Sequence, residues 1–162
     1  MKRLWYLLTG LLLLIGVIAC VIWLWPKPLI PKDIQNKVTS VIFVPKNPQV
    51  INKKGTVKYD SDLKLLSYQA TIFGVNTVIS EQPTPESFTD IPQVYQKVLD
   101  SWNQYETFNT PQGTVYLTRP GKQSNEEVGV MNSKGTFLFI KPDSNFTDSQ
   151  WRQLFNSLQT DS

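Results

Sequence analysis

The sequence predicts an α+β protein: an N-terminal transmembrane helix, then a two-layer domain with a mainly antiparallel sheet and about three helices. Three observations carry this. Residues 4–25 form an apolar run without a charge, and a helix needs about 20 such residues to cross the hydrocarbon core. Beyond it, short stretches rich in β-branched and aromatic residues are separated by turn signals, as in hairpins. Stretches of helical period lie between and after them, most clearly Trp151, Leu154, Phe155 and Leu158 at i, i+3, i+4, i+7.

The elements follow in chain order. Lys2 and Arg3 precede the apolar run, so residues 1–3 read as a cytoplasmic stub, 4–25 as the transmembrane helix and the remainder as extracytoplasmic. Trp5, Tyr6, Trp23 and Trp25 sit at its two ends, where interfacial aromatics belong. A cleaved secretory signal would have a shorter apolar core and a small-x-small site, and neither is present. Residues 26–39 form a proline-rich spacer and a short helix through about Thr39, with Ile30, Ile34 and Val38 on one face. The extracytoplasmic domain is expected over residues 40–162. Within it "SVIFVP" reads as a buried strand, "KNPQVINKKG" as loop and "GTVKYD" as a short strand. "DLKLLSYQATIF" and "NTVISEQ" flank a turn at "GVN", with Leu66, Tyr68, Ala70 and Ile72 on the buried side. "QPTPESFTD" reads as loop. Asp90 is the expected cap of a helix with Pro92 in its first turn and Gln93 three residues on. "ETFNTPQGTVYLTR" reads as strand, turn, strand, and "PGKQSNEE" as a polar loop. "VGVMNSKGTFLFI" is a second hairpin, and a final helix opens at Thr147 with Gln150 in a capping box. The helices are expected to cover one face of the sheet.

Charge and residue usage exclude several chemistries. Beyond the two N-terminal cations there are 14 Lys/Arg and 13 Asp/Glu, so the domain is close to neutral. Its membrane-proximal part is basic, with eight lysines between Lys27 and Lys64 against Asp33, Asp60 and Asp62, which suits anionic headgroups, an acidic envelope polymer or simply solvent. The chain has no histidine, and its one cysteine, Cys20, lies in the apolar run. Ser-His-Asp and Cys-His catalysis in their usual forms, and the commonest zinc ligand, are therefore absent. No cofactor, metal or nucleic-acid partner is expected.

Local motifs are mostly accounted for by turns. Residues 60–62 and 143–145 echo parts of calcium loops but lack the glycine and distal glutamate, and turn and cap duty explains them. Ser61 and Lys64 match S-x-x-K without its companion motifs. Asn145 begins an N-x-T acceptor pattern beside the last helix cap. Glu126 and Glu127 read as solvated loop carboxylates. Glu81, followed by "QPTP" at a strand end, is a candidate ligand contact. Residues 17–20, "VIAC", fit the loose form of a bacterial lipoprotein signal, which would make Cys20 a lipidation site. Against this, "VIWLW" prolongs the apolar run and completes a span that retains the helix.

The stretches "SVIFVPKN", "YQATIF", "TVISEQPTP", "FNTPQGTVYLT" and "GTFLFIKPDSNFTDSQWRQLFNSL" together resemble the small extracytoplasmic α+β domains of uncharacterised bacterial single-pass membrane proteins. The resemblance covers about residues 40–158. It implies a sheet closed by an amphipathic helix and no catalytic site. The expected function is a membrane-anchored binding, sensing or scaffolding module of the cell envelope, held by its N-terminal signal-anchor and contacting an envelope protein, lipid or polymer. Two alternatives stand beside it: a lipid or lipoprotein carrier with an apolar cavity, and a hydrolase or transferase using carboxylates with Ser or Lys.

Overall fold

In the computed structural model, residues 28–46, 51–52, 56–119 and 125–161 are described. The apolar run of residues 4–25, with Cys20, lies outside them. Among the described residues no helix is long and apolar enough to cross a membrane.

Alternation builds the central sheet. In β4 (Leu65–Ile72) every second residue is buried, and in β5 (Val75–Pro83) Thr77, Ile79 and Glu81 are, so one face of the hairpin is turned inward. The turn between them is Phe73–Gly74, both left-handed (φ 51° and 80°), the geometry of a tight hairpin turn. It begins one residue before the expected "GVN" turn and shares Gly74 with it, and the Phe73 ring meets Phe146 edge-on at 5.6 Å. β6 (Gln104–Thr110), β7 (Gly113–Thr118), β8 (Val128–Ser133) and β9 (Thr136–Pro142) continue the sheet. With the short β2 (Ile51–Asn52) and β3 (Lys58–Asp60), the spatial order is β2-β4-β5-β9-β8-β7-β6, with β3 also on β4. Every pairing is antiparallel. Residues 51–52, expected as loop, therefore form a strand.

Both faces are covered, which corrects the two-layer expectation. On one face lie α1 (Lys32–Gln35), β1 (Ile42–Pro45), α4 (Asp148–Asn156) and β10 (Leu158–Asp161), packed on Leu66, Tyr68, Ile79, Leu138, Met131, Val115 and Leu117. On the other, α2 (Glu86–Asp90) and α3 (Pro92–Ser101) bring Phe88, Tyr95 and Leu99 onto Val130, Phe137, Tyr116 and Phe139. The cause is readable in β8 and β9. The first four residues of β8 and the first three of β9 are all buried, so neither strand has a wet face. A sheet apolar on both sides needs cover on both.

Among the described residues four helices stand where about three were expected. Glu86–Asp90, expected as loop, forms a one-turn helix behind Pro85. The cap of α3 is Ile91, without a side-chain bond, and Asp90 ends the preceding helix instead. α1 stops at Gln35, short of Thr39, yet Ile30 is fully buried and Ile34 and Val38 pack against the core. The capping box of α4 forms as expected, with Thr147 and Gln150 bonded reciprocally. That helix ends at Asn156, and Leu158 belongs to β10, a strand the helical period had absorbed.

α4 sits unusually close to the sheet. A methyl group added at Gly129 would lie 2.5 Å from a Phe155 ring carbon and 2.8 Å from Trp151. Glycine is needed there for the two rings to reach the backbone of β8.

Candidate functional site

Two buried carboxylates organise the polar groups of the domain. The first is Glu81, near the end of β5 and 1% exposed. Its Oε2 accepts the Phe43 N–H at 2.8 Å. The Tyr68 hydroxyl donates to the Phe43 carbonyl at 2.9 Å and lies 3.5 Å from Glu81 Oε1. Both main-chain groups of Phe43 point away from β10 and are met by side chains of the main sheet. Glu81 thus fastens the β1–β10 ribbon onto the sheet. The sequence pointed to Glu81 as a ligand contact, whereas its carboxylate is shut inside this junction.

The second is Glu127, 8% exposed, which the sequence reads as a solvated loop carboxylate. The last paired rung of β7 and β8 is Thr118 with Val128, so Arg119 and Glu127 face each other one step beyond it. Arg119 Nη2 meets Glu127 Oε1 at 2.8 Å. The Trp151 indole N–H donates to Glu127 Oε2 at 3.4 Å, and Asn145 Oδ1 accepts the Glu127 N–H at 3.1 Å. The Arg119 guanidinium also lies 4.3 Å from the centre of the Tyr105 ring. Such contacts hold the guanidinium in one orientation. Arg119 remains 47% exposed, so it is fixed and still accessible.

Beside this pair opens a polar pocket of about 500 Å³, lined by Gln96, Asp100, Asn103, Gln104, Tyr105 and Arg119. Gln96 Nε2 donates to Asp100 Oδ1 at 2.8 Å, which orients that carboxylate. Gln104 Oε1 is buried without a partner among the described residues. An aromatic ring, a fixed cation, amides and one carboxylate suit recognition of a polar, hydroxyl- or carboxylate-bearing molecule.

The proton chemistry agrees. Partial burial of a ring that is still 39% exposed, then the hydrogen bond to Glu127 and its negative charge, push the Tyr105 phenol above its ordinary value of 10. The hydrogen bond to Glu127 raises Arg119 in turn. Each group is held in one protonation state, unlike a general acid or base, which works with a pKa near the ambient pH. Burial also raises Tyr95, helped by Tyr116. A phenol raised on folding stabilises the fold fully below its unfolded value near 10 and loses that contribution as pH rises through the folded value. The domain should therefore lose stability progressively above about pH 10. Urea midpoints measured against pH check this, and Tyr95→Phe with Tyr105→Phe should flatten the alkaline slope.

The remaining sequence candidates have structural partners. Asp60 Oδ1 accepts the N–H groups of Asp62 and Leu63 at 2.9 and 3.0 Å, closing the turn that holds Ser61 and Lys64. Asp143 accepts from Asn76 at 2.7 Å, and Asn145 donates to Asn125 at 2.8 Å. Glu126 pairs with Lys141 at 2.6 Å on the surface. Among the described residues no group of three or more Cys, Asp or Glu side chains is set to hold a metal ion.

No family model, curated protein or solved structure matches the chain. Function must then be argued from the site itself.

Proposed function

We propose that this protein is a membrane-anchored, extracytoplasmic binding module of the bacterial cell envelope, tethered by residues 4–25 and presenting the Tyr105–Arg119 pocket to a polar ligand. The observation that carries the binding role is Arg119, fixed by Glu127 and Tyr105 yet half-exposed at the pocket wall. Its fixed orientation lowers the ordering cost of gripping a carboxylate, and the neighbouring amides suit hydroxyl groups. Both features fit an acidic saccharide of the envelope. The carrier reading is weakened by the filled space between α4 and β8, where Trp151 and Phe155 reach the backbone of Gly129. The hydrolase reading is weakened by the upward shifts of Tyr105 and Arg119, which move both away from acid–base poise.

The test is titration of the full chain in detergent micelles with oligogalacturonate and with neutral maltotriose, read by amide chemical shifts around Asn103 and Arg119. The acidic sugar should shift these resonances, and Arg119→Gln should weaken its binding about tenfold, the scale of one charge-assisted hydrogen bond. Unchanged resonances with both sugars, or equal affinity in the variant, would sink the assignment of this pocket.

A further inference from the structure

Leu63, Ile91 and Tyr105 are the large apolar side chains exposed on the described surface. Tyr105 belongs to the pocket above. The other two lie at the opposite end of the sheet. Leu63 is 65% exposed in the turn between β3 and β4. Asp60 Oδ1, accepting the Asp62 and Leu63 N–H groups, and a left-handed Lys64 (φ 51°) fix that turn, so the leucine is held outward. The same end carries the β8–β9 turn at Lys134–Gly135. The register leads there: Asp60 faces Leu65, Leu66 faces Glu81, and Pro83 faces Thr136. The Thr84 N–H donates to the Gly135 carbonyl at 2.9 Å. Ile91 lies one helical turn before Tyr95, whose ring packs on Phe137 just past this turn.

The chain also enters the domain here. Gln35, the last residue of α1, and Asn36 after it line a pocket of about 540 Å³ with Lys134 and Thr160. Gln35 Nε2 donates to the Ile30 carbonyl at 3.0 Å, placing the first buried residue beside that pocket. Trp25, the last residue of the apolar run, precedes Ile30 by a stretch that spans at most about 18 Å when fully extended. If the run is the anchor, this end of the domain can lie no farther than that from the bilayer.

We propose that this end of the domain rests on the lipid bilayer, with Leu63 inserted at the interface and Ile91 beside it. The inference rests on the membrane-anchored reading above. Lys64 and Lys134 can extend their stems toward the headgroups from the same end. Charge does not drive the contact, because Lys32, Lys37, Lys64 and Lys134 are outnumbered by Asp33, Asp60, Asp62, Glu86 and Asp90 on the same segments. The contact is therefore apolar and insensitive to salt, unlike polybasic attraction. It turns the Tyr105–Arg119 pocket away from the membrane, since Arg119 and Gln104 lie at the far end of β7 and β6.

The experiment uses the full chain in phosphatidylcholine–phosphatidylglycerol vesicles. Cys20→Ser removes the single cysteine, and a polarity-sensitive fluorophore is attached at Leu63→Cys, at Ile91→Cys or, at the far end, at Ser144→Cys. The labels at 63 and 91 should shift to shorter wavelength and lose intensity when doxyl-labelled lipid is present, at low and high salt alike. The label at 144 should do neither. Two results overturn the contact while leaving the anchor standing: water-like emission at 63 and 91 in protein that stays with the vesicles through an alkaline wash, or a wavelength shift that vanishes on diluting the protein in lipid, which marks a second copy as the cover. Protein lost from the vesicles in that wash overturns the anchor itself, and the contact with it.

Discussion

Trp151→Ala should cost about 3–5 kcal/mol of folding stability, the range for truncating a large buried aromatic. Domains of this size are stable by about 5–15 kcal/mol, so the loss removes about a fifth or more of the margin. The effect has three sources. Trp151 is fully buried, so the deletion opens a cavity against the backbone of Gly129, which has no side chain to fill it. Its ring meets Phe146 at 5.0 Å and Phe155 at 6.0 Å, and both contacts vanish. Its indole N–H leaves Glu127 Oε2, inside the cluster that orients Arg119. Trp151→Phe keeps most of the packing and should cost about 1–2 kcal/mol through the lost donor and reduced volume. Urea unfolding of the full chain in micelles, followed by far-ultraviolet circular dichroism, measures both. A loss below about 1 kcal/mol for the alanine variant would show that α4 repacks, against the close fit described above.

Glu81→Leu should cost about 2–4 kcal/mol, although the new side chain is apolar and of similar size. The Phe43 N–H loses its acceptor in a place water does not reach, and leaving a buried donor unmade is what costs. The loss should be local. Hydrogen exchange is expected to rise in β1 and β10, where Phe43 pairs with Thr160, while amides of β8 and β9 keep their protection. Equal loss of protection across the whole sheet would show that Glu81 supports the main sheet and not the ribbon. Ligand binding at the Tyr105–Arg119 pocket should survive in the folded fraction, because Glu81 lies near the other end of the sheet.

How much of the site could be read from the chain differs between the two carboxylates. Glu81 stood out in the sequence as a charged residue ending an alternating strand. In the structure Thr77, Ile79 and Glu81 share the buried face of β5, a placement the sequence reading did not assign to Glu81. What could not be read was its partner, a backbone amide 38 residues earlier. Arg119 and Glu127 carried a weaker signal: opposite charges flanking the loop between two strands, where cross-strand pairs form. Tyr105 and Trp151 come to that pair from other elements, and no spacing announces them.

Local pattern determined the elements whose signal is itself local. Alternation set β4 and β5, turn signals placed the two hairpins to within a residue, and the capping box placed the start of α4. The absence of histidine and the position of Cys20 outside the domain likewise limited its chemistry before any fold was known. The tertiary structure decided what depends on distant partners. Leu158 satisfies a helical period and a strand equally, and pairing with Pro45 makes it strand. Helices cover both faces because β8 and β9 are buried on each side, a demand that exists only once the sheet is assembled. Glu127 leaves solvent only where Arg119, Asn145 and Trp151 converge to satisfy it. Burying a charge is tolerable only with such partners, and the fold alone brings them within reach.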